Sequence, residues 1–381
     1  MVNEKEADVI IIGGGLAGLV SAIHLLREGL AVSLIEKYGY PRHKVCGEYI
    51  SNEVLTYLKS LGLDPFLLGA KSINRLQLTT VNDKVIEAKL PLGGFGISRY
   101  TLDYELFKIA LGLGLVFIED KVTAVEFEED RFTVCTRKKA RVEAVMVIGA
   151  FGKRSGLDKQ MSREFVKHDS PYLAVKAHYE GDFPDDLVAL HNFKGGYCGV
   201  SRVENDRINL CYITDYQAFK KFKNIDEFQA QVLCKNAHLK EILKHSRMVF
   251  ESPLTISQIS FSKKKSIEQH MLMCGDSAGM IHPLCGNGMS MAIHGAQIAS
   301  QSIIEYFNSS NRDRAALEQN YSSRWDAAFQ SRLRTVRLLA SLFRSDRMSA
   351  TMLNGLKAVP SLLPQIIKRT HGEALQAYSI C

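Results

Sequence analysis

The stretch that decides the fold is Asp8–Lys37, "DVIIIGGGLAGLVSAIHLLREGLAVSLIEK". Asp8–Ile12 is a short apolar run of strand type. The residues after it have helical spacing, with Leu19, Ala22, Ile23 and Leu26 on one face, and the pattern stops at Gly29. "AVSLIEK" is a second strand ending at Glu36. The whole reads as a β-α-β unit with G-x-G-x-x-G at its first turn. The three glycines serve different physical ends. Gly13 permits the tight turn, Gly15 lets the backbone approach a pyrophosphate, and Gly18 lets helix and strand pack closely. Ala17 lies between them in the first helical turn. The helix start supplies free N–H groups and the positive end of a dipole. Glu36 is placed to accept hydrogen bonds from both hydroxyls of an adenosine ribose. At this point FAD and NAD are both open.

The 381 residues allow two or three domains. Hydrophobic content of 46% and charged content of 23% are those of an ordinary globular chain. The eight cysteines show no Cys-x-x-Cys pair and no zinc-like spacing, so reduced thiols and no metal site are expected. "MVNEKEAD" lacks the start of a signal peptide, and no apolar run has the length of a membrane span. A cytoplasmic protein is expected, in solution or peripheral to a membrane. The net charge of +7 suits anionic cofactors, acyl carriers or anionic lipid surfaces. Nothing resembles a nucleic-acid module.

Downstream, α/β segments alternate with segments of antiparallel type. "SNEVLTYLKSLG" reads as a helix capped by Ser51 and ended at Gly62. "SINRLQLTTVNDKVIEAKL" reads as two strands about an Asn-Asp turn. "GGFG" at Gly93–Gly96 lacks a strand-turn-helix context and reads as loop. Tyr172 to Tyr212 alternates like antiparallel sheet, with two helices after it. "RKKAR" and "SKKKS" read as solvated turns. From Arg312 the chain reads as helix, interrupted at Pro360 and Pro364.

A second motif follows the strand "HMLMC". Gly275–Asp276 puts an acid at a strand end beside a glycine turn, where it can bind a polyol; a flavin nucleotide carries one in its ribityl chain and NAD does not. The loop "HPLCGNGM" then runs from His282 through Pro283, Gly286 and Asn287 to Gly288 and Met289, opening a long helix. Such a helix start is suited to stabilise negative charge on a reduced flavin ring.

These segments resemble the FAD enzymes of the para-hydroxybenzoate hydroxylase fold, which include single-component flavin monooxygenases and the geranylgeranyl reductases. "GDSAG…HPLCGNGM" resembles their Gly-Asp motif. "ISRYTLDYELF" resembles their Arg-x-x-Leu-Asp-x-x-Leu segment, whose arginine, here Arg99, lies by the FAD. "PRHKVCGE" resembles the Pro-Arg-x-Lys-x-Cys-Gly segment of the reductase branch. The resemblance implies a Rossmann-type FAD-binding domain of the glutathione reductase and para-hydroxybenzoate hydroxylase kind. That domain would comprise 1–70, 97–165 and 266–311. An antiparallel-sheet substrate domain (71–96 and 166–265) is interleaved with it, and a helical cap (312–381) ends the chain.

Two departures from the resemblance matter. "GAFGKRS" has Phe151 where the family carries an acid linked to FAD and NAD(P)H use. The electron source is therefore open between NAD(P)H and a partner flavin reductase. "GYCGVSR" stands where the reductases carry Tyr-x-Trp-x-x-Pro. On that ground the leading expectation is a monooxygenase. It would hydroxylate or epoxidise a lipophilic aromatic or olefinic molecule through a flavin C4a-hydroperoxide. The alternatives are a C=C reductase acting on an isoprenoid or polyketide-like lipid, and a flavin-bound carrier without turnover.

The loop "KYGYPRHKVCGEYIS" begins just after Glu36, so Lys37, Arg42, Lys44, Cys46 and Gly47 are expected along the cofactor. Arg42 and Lys44 are read as pyrophosphate- or flavin-facing cations, and Gly47 as a point of close approach to the ring. Cys46, with nearby cations lowering its thiol pKa, is a candidate proton donor or flavin modulator, or a packing residue. His282 is a candidate proton relay or a hydrogen-bonding loop residue. His24, His178, His191 and His294 are read as structural. The segment "RTVRLLASLFRSDRMSATMLNGLKAVPSLLPQIIKR" is a cap over apolar surface, or a lipophilic entrance making transient contact with a membrane surface.

Overall fold

A computed structural model describes residues 5–168, 170–343 and 362–379. The strands are numbered along the chain. The first sheet has β1 (Lys5–Ile12), β2 (Val32–Glu36), β6 (Val116–Glu119), β9 (Arg141–Gly149), β17 (Met271–Met273) and β16 (Ile267–Glu268). Their order is β16-β17-β9-β1-β2-β6, with an antiparallel extension of β7 (Val122–Glu128) and β8 (Arg131–Thr136) on β9. The four inner pairings are parallel. Strands of a parallel sheet are covered on both faces, which is why "VIII" is continuously apolar and Val32–Glu36 is buried throughout. Ile10, Ile11, Leu19 and Ile23 have no solvent exposure. Each such side chain contributes about 1.5–3 kcal/mol relative to exposure. The helix Leu16–Arg27 lies over this sheet, and Gly29 leaves it at φ +79°.

The register aligns Ile12 with Ile35 and with Gly149, and Gly149 with Met273. The turns after β1, β2, β9 and β17 therefore open at one edge, the carboxyl ends where α/β sheets bind ligands.

The second sheet runs β14 (Arg247–Met248), β10 (Tyr172–Glu180), β13 (Ile208–Asp215), β12 (Gly196–Arg202), β11 (Leu187–Phe193), β4 (Lys71–Thr79), β5 (Val85–Gly96) and β3 (Tyr49–Ser51); β15 (Leu254–Ser257) also pairs with β10. It is antiparallel except where β11 pairs with β4 in parallel. Those two strands are joined through the first domain, so no hairpin dictates their direction. Two expectations change here. Tyr49–Ser51, placed with the cofactor domain, pairs with β5 at the edge of this sheet. "GGFG" is strand rather than loop: a Cβ on Gly94 would lie 2.4 Å from Tyr49, and one on Gly96 2.0 Å from the Arg202 carbonyl, so backbones meet where side chains cannot.

One face of the second sheet packs Val175, Ala177, Leu210 and Tyr212 against helices Ile225–Gln231 and Ala237–Lys244. The other face turns to the cofactor domain. At the C-terminus, Leu363 and Ile367 of helix Leu362–Thr370 cover β4 and β5. Residues 371–379 are not helical. They return across the first domain, where the Leu375 N–H donates to the Glu53 carbonyl at 2.7 Å and the Tyr378 N–H to Ser60 Oγ at 2.7 Å. Pro360 and segment 344–361 lie outside the described residues.

Candidate functional site: a dinucleotide crevice roofed by the second sheet

The glycine turn is held from three sides. Gly13 has φ +107°, and a Cβ there would sit 2.4 Å from the Ala150 carbonyl oxygen. The Gly14 N–H donates to Glu36 Oε2 at 2.8 Å, which ties the turn to the end of β2. Tyr40 Oη donates to the Gly14 carbonyl at 2.6 Å. A Cβ on Gly15, by contrast, would meet only the Arg99 guanidinium, 3.7 Å away. Gly15 is also the N-cap of the first helix and brings no side-chain cap, so the helix N–H groups are left for a ligand.

Beneath this turn lies a buried charge cluster. Arg99 makes a bidentate pair with Asp103 at 2.7 and 2.8 Å. Lys44 Nζ donates to Asp103 Oδ2 at 2.7 Å and to the Gly14 carbonyl at 3.1 Å. Burial alone would raise the Asp103 carboxyl, but Arg99 and Lys44 hold it below its ordinary value. Arg42 pairs with Glu36 Oε1 at 3.0 Å and lies over the rings of Tyr38 and Tyr40. The two loop cations expected to face the cofactor thus brace the glycine turn and Glu36. Arg99 is the cation at the open side of Gly15. Lys37 is exposed, its ammonium over the Tyr38 ring.

The rest of the loop is gripped by the second sheet. Asn209 Nδ2 donates to the carbonyls of Gly47 and Cys46 at 2.8 and 3.3 Å. Gly47 itself is exposed, with no atom of the described residues within 4 Å of a Cβ position, so its outer side is clear of them. Glu48 turns inward at φ +54°. Its carboxylate accepts from Lys176 Nζ at 2.5 Å, His178 Nε2 at 2.7 Å and the Arg99 N–H at 2.8 Å. His178, read from the sequence as structural, lies in an inter-domain cluster with Glu48 that sequence reasoning missed. The available signal was Lys176 and His178 at spacing two, on one face of an otherwise apolar strand. Cys46 is half-buried, and burial pushes its thiol up against the pull of Arg99. The cations do not win, and the net shift is upward.

The second motif reaches the same crevice. Gly275 turns at φ +62° after β17. Asp276 follows, its carboxyl raised by burial although Lys264, Arg99 and Lys153 oppose it. Arg99 thus lies within electrostatic reach of both Gly15 and Asp276. Lys264, expected in a solvated turn, is buried and donates to the Asp276 and Lys153 carbonyls at 2.7 and 2.9 Å. Phe151 is half-buried, and the following Gly152 N–H donates to Ser277 Oγ at 2.9 Å, tying the two turns together. Gly288 opens the helix Gly288–Asn308 with no side-chain cap. Asn287 donates to the Thr370 carbonyl at 3.0 Å, so it braces the C-terminal helix, while Met289 is buried and Pro283 exposed. Gly286 turns at φ +63° against Tyr49. Burial pushes the Cys285 thiol up to about 12. His282 packs its ring against Phe261, Tyr197 and Tyr172, with centroids 4.6, 6.0 and 6.3 Å away.

These residues fit FAD. The open sides of Gly15 and Gly47 and the uncapped helix starts at Leu16 and Gly288 are cradles for a ligand, and Asp276 is an acid at the polyol position. Glu36 would hold the adenosine ribose, Gly15 and Arg99 the phosphates, Asp276 the ribityl chain, and Gly47 with the Gly288 helix start the ring. Among the described residues, no group of His, Cys, Asp and Glu could hold a metal ion, and no helix is long and apolar enough to cross a membrane.

Fold and site together define an FAD-dependent oxidoreductase of the para-hydroxybenzoate hydroxylase type. The family described as "FAD binding domain" matches residues 6–330, and the chain belongs to it. It is 27% identical over 368 residues to "Conditioned medium factor receptor 1" of Dictyostelium discoideum, covering 86% of this chain and 69% of that protein. It is 24% identical over 344 residues to "Digeranylgeranylglycerophospholipid reductase" of Methanococcus vannielii, covering 84% and 83%. Among solved structures, flavin-dependent brominase Bmp2 superposes with a TM-score of 0.80 at 18% identity, covering 96% of this chain and 93% of that one.

Proposed function

We propose that this oxidoreductase reduces C=C bonds of a lipophilic, isoprenoid-type substrate. The observation that carries the reading is the Cys46 loop. It holds a half-buried thiol, its pKa pushed up by burial, beside the clear side of Gly47, and Asn209 of the second sheet fixes its backbone. Adding hydrogen across a double bond needs a proton donor that stays protonated until the reaction, and a neutral buried thiol meets that need. The bound FAD supplies the electron pair.

An apolar band suits a long substrate. Val45, Ala174, Tyr197, Ile213 and Ile259 cluster by the flavin loop. Leu190 joins them to Leu76, Leu78 and Val188 under helix Leu362–Thr370. The similarity to a reductase of geranylgeranyl lipids over most of both chains supports the same substrate class. The C-terminal helix covers the far end of the band.

A second reading is oxygenation, favoured by the aromatic cluster about His282. The products separate the two. Enzyme reduced under nitrogen and given an olefinic isoprenoid yields, on our reading, a product heavier by two hydrogens. A product that forms only in air and is heavier by one oxygen atom contradicts it. NADH, NADPH and a reduced-flavin donor, compared as reductants, identify the electron source.

A further inference from the structure

Each double bond reduced takes one proton from the Cys46 thiol, and burial disfavours the thiolate that is left. A proton from solvent must therefore reach the sulfur before the next turnover. The cluster beside the loop is arranged as a path for it. Lys176 stands opposite Cys211 in the second sheet, and His178 opposite Asn209, so the four side chains share one face. That face meets the loop: Asn209 Nδ2 donates to the Cys46 carbonyl at 3.3 Å, and Cys211 is hydrogen-bonded to the Cys46 backbone. The Lys176 ammonium, with no solvent exposure, is thus placed beside the loop, and its charge acts on the Cys46 thiol.

From Lys176 the contacts run outward in steps. Nζ meets Glu48 Oε1 at 2.5 Å, and Glu48 Oε2 meets His178 Nε2 at 2.7 Å. The His178 ring lies edge-on to His43, with centroids 5.1 Å apart. His43 is half-buried between Tyr100 and Phe250, whose centroids are 4.6 and 4.5 Å away, and Tyr100 is 40% exposed. The Nδ1 atom of His43 is buried and has no hydrogen-bond partner among the described residues. Burial pushes this imidazole down to about 4, with Lys176 and His178 adding to the shift and Glu48 and Glu204 opposing it. It is a neutral ring at neutral pH, able to take a proton at one nitrogen as it gives one from the other. Packing does not demand it, because a phenylalanine would stack in the same place without stranding a polar atom.

We propose that His43, His178 and the Glu48–Lys176 pair form the route by which Cys46 is reprotonated from solvent. The substrate carbon takes a proton from the thiol, and the thiolate takes one from Lys176 Nζ. The amine left on Lys176 takes a proton back from Glu48, which has received it from His178, and His178 is recharged through His43. One solvent proton enters for each double bond reduced, and every side chain returns to its starting state. This rests on the C=C reductase reading and adds to it the source of the proton.

The test uses FAD-loaded enzyme under nitrogen, with dithionite as reductant and geranylgeraniol as probe, and compares the first turnover with the steady state. The first turnover is read as reoxidation of flavin reduced beforehand with stoichiometric dithionite, the steady state as product formed with dithionite in excess. His178→Gln keeps a donor for Glu48, and His43→Phe keeps the stacked ring, but neither passes a proton. Both should match wild type in the first turnover, which uses the proton already on Cys46, and should fall about tenfold or more at steady state. Added imidazole should restore most of the steady-state rate of His43→Ala. Equal losses in both phases overturn the proposal, because they mark a purely structural role. So does an unchanged steady state, or a His43→Ala enzyme that imidazole does not rescue. Wild-type enzyme that leaves geranylgeraniol unreduced removes the reductase reading and the proton route with it, whereas wild-type turnover matched by the histidine variants removes the route alone.

Discussion

Lys176 and Glu48 meet at 2.5 Å with neither side chain exposed, although 128 positions separate them in the chain. Glu48 belongs to the cysteine loop of the cofactor domain and Lys176 to the second sheet, so the pair fixes the roof over the site. Removing one partner of a buried pair leaves a bare charge and costs about 3–5 kcal/mol. Lys176→Met should lower the unfolding free energy by about that amount in urea titration. The double variant Glu48→Gln/Lys176→Met should recover part of it. Strictly additive losses would show that the two residues are not coupled.

The glycine turn predicts two different failures. Gly15→Val puts a side chain into the clear space beside Arg99, so the protein should fold with a native far-ultraviolet spectrum. Its FAD affinity should fall tenfold or more, about 1.4 kcal/mol. Gly13→Val meets the Ala150 carbonyl at a positive φ and should lose fold and flavin together. Equal FAD retention in Gly15→Val and wild type would show that the turn does not hold the phosphates.

How far these features were legible depends on how local their physics is. Gly13, Gly15, Gly18 and Glu36 lie in one short β-α-β unit, and a turn packed this tightly leaves its mark in sequence. Asp276 was legible for the same reason. The Glu48–Lys176–His178 cluster was not, because its partners come from different domains. Loop charges were ambiguous for another reason: a cation cannot declare whether it faces a ligand or, like Lys44, an internal carboxylate such as Asp103. The returning tail at 371–379 has no periodicity to betray it. It is set by contacts distant in sequence, such as Tyr378 to Ser60.

Acidification should destabilise the protein from near neutrality. Burial lowers His24 to about 4, His191 to about 3 and His294 to about 4, from an ordinary 6.5. Their folded pKa values lie below the unfolded one, so the unfolded chain binds more protons in that window. Stability is complete above pH 6.5 and is lost as pH falls toward 4. Each group contributes at most about 1.4 kcal/mol per pH unit. Glu48 adds to the loss at lower pH. Burial opposes its ionisation, but Lys176 and His178 hold its carboxyl below the ordinary 4.5. Urea titrations across this range should show a steady fall, and His191→Gln should flatten it. A flat profile in the wild-type protein would mean that these histidines are protonated in the fold.

The Cys46 thiol is the centre of the proposed chemistry, and the direct measurement is oxidation of the bound, reduced flavin by an olefinic isoprenoid under nitrogen. Wild-type enzyme should return to its oxidised spectrum when substrate is added. Cys46→Ala, with the same FAD content, should do so about 10²–10⁴ times more slowly, the range set by loss of a positioned proton donor. If the alanine variant matches wild type, or if wild-type flavin is reoxidised only when air is admitted, the thiol is not the proton donor of a double-bond reduction.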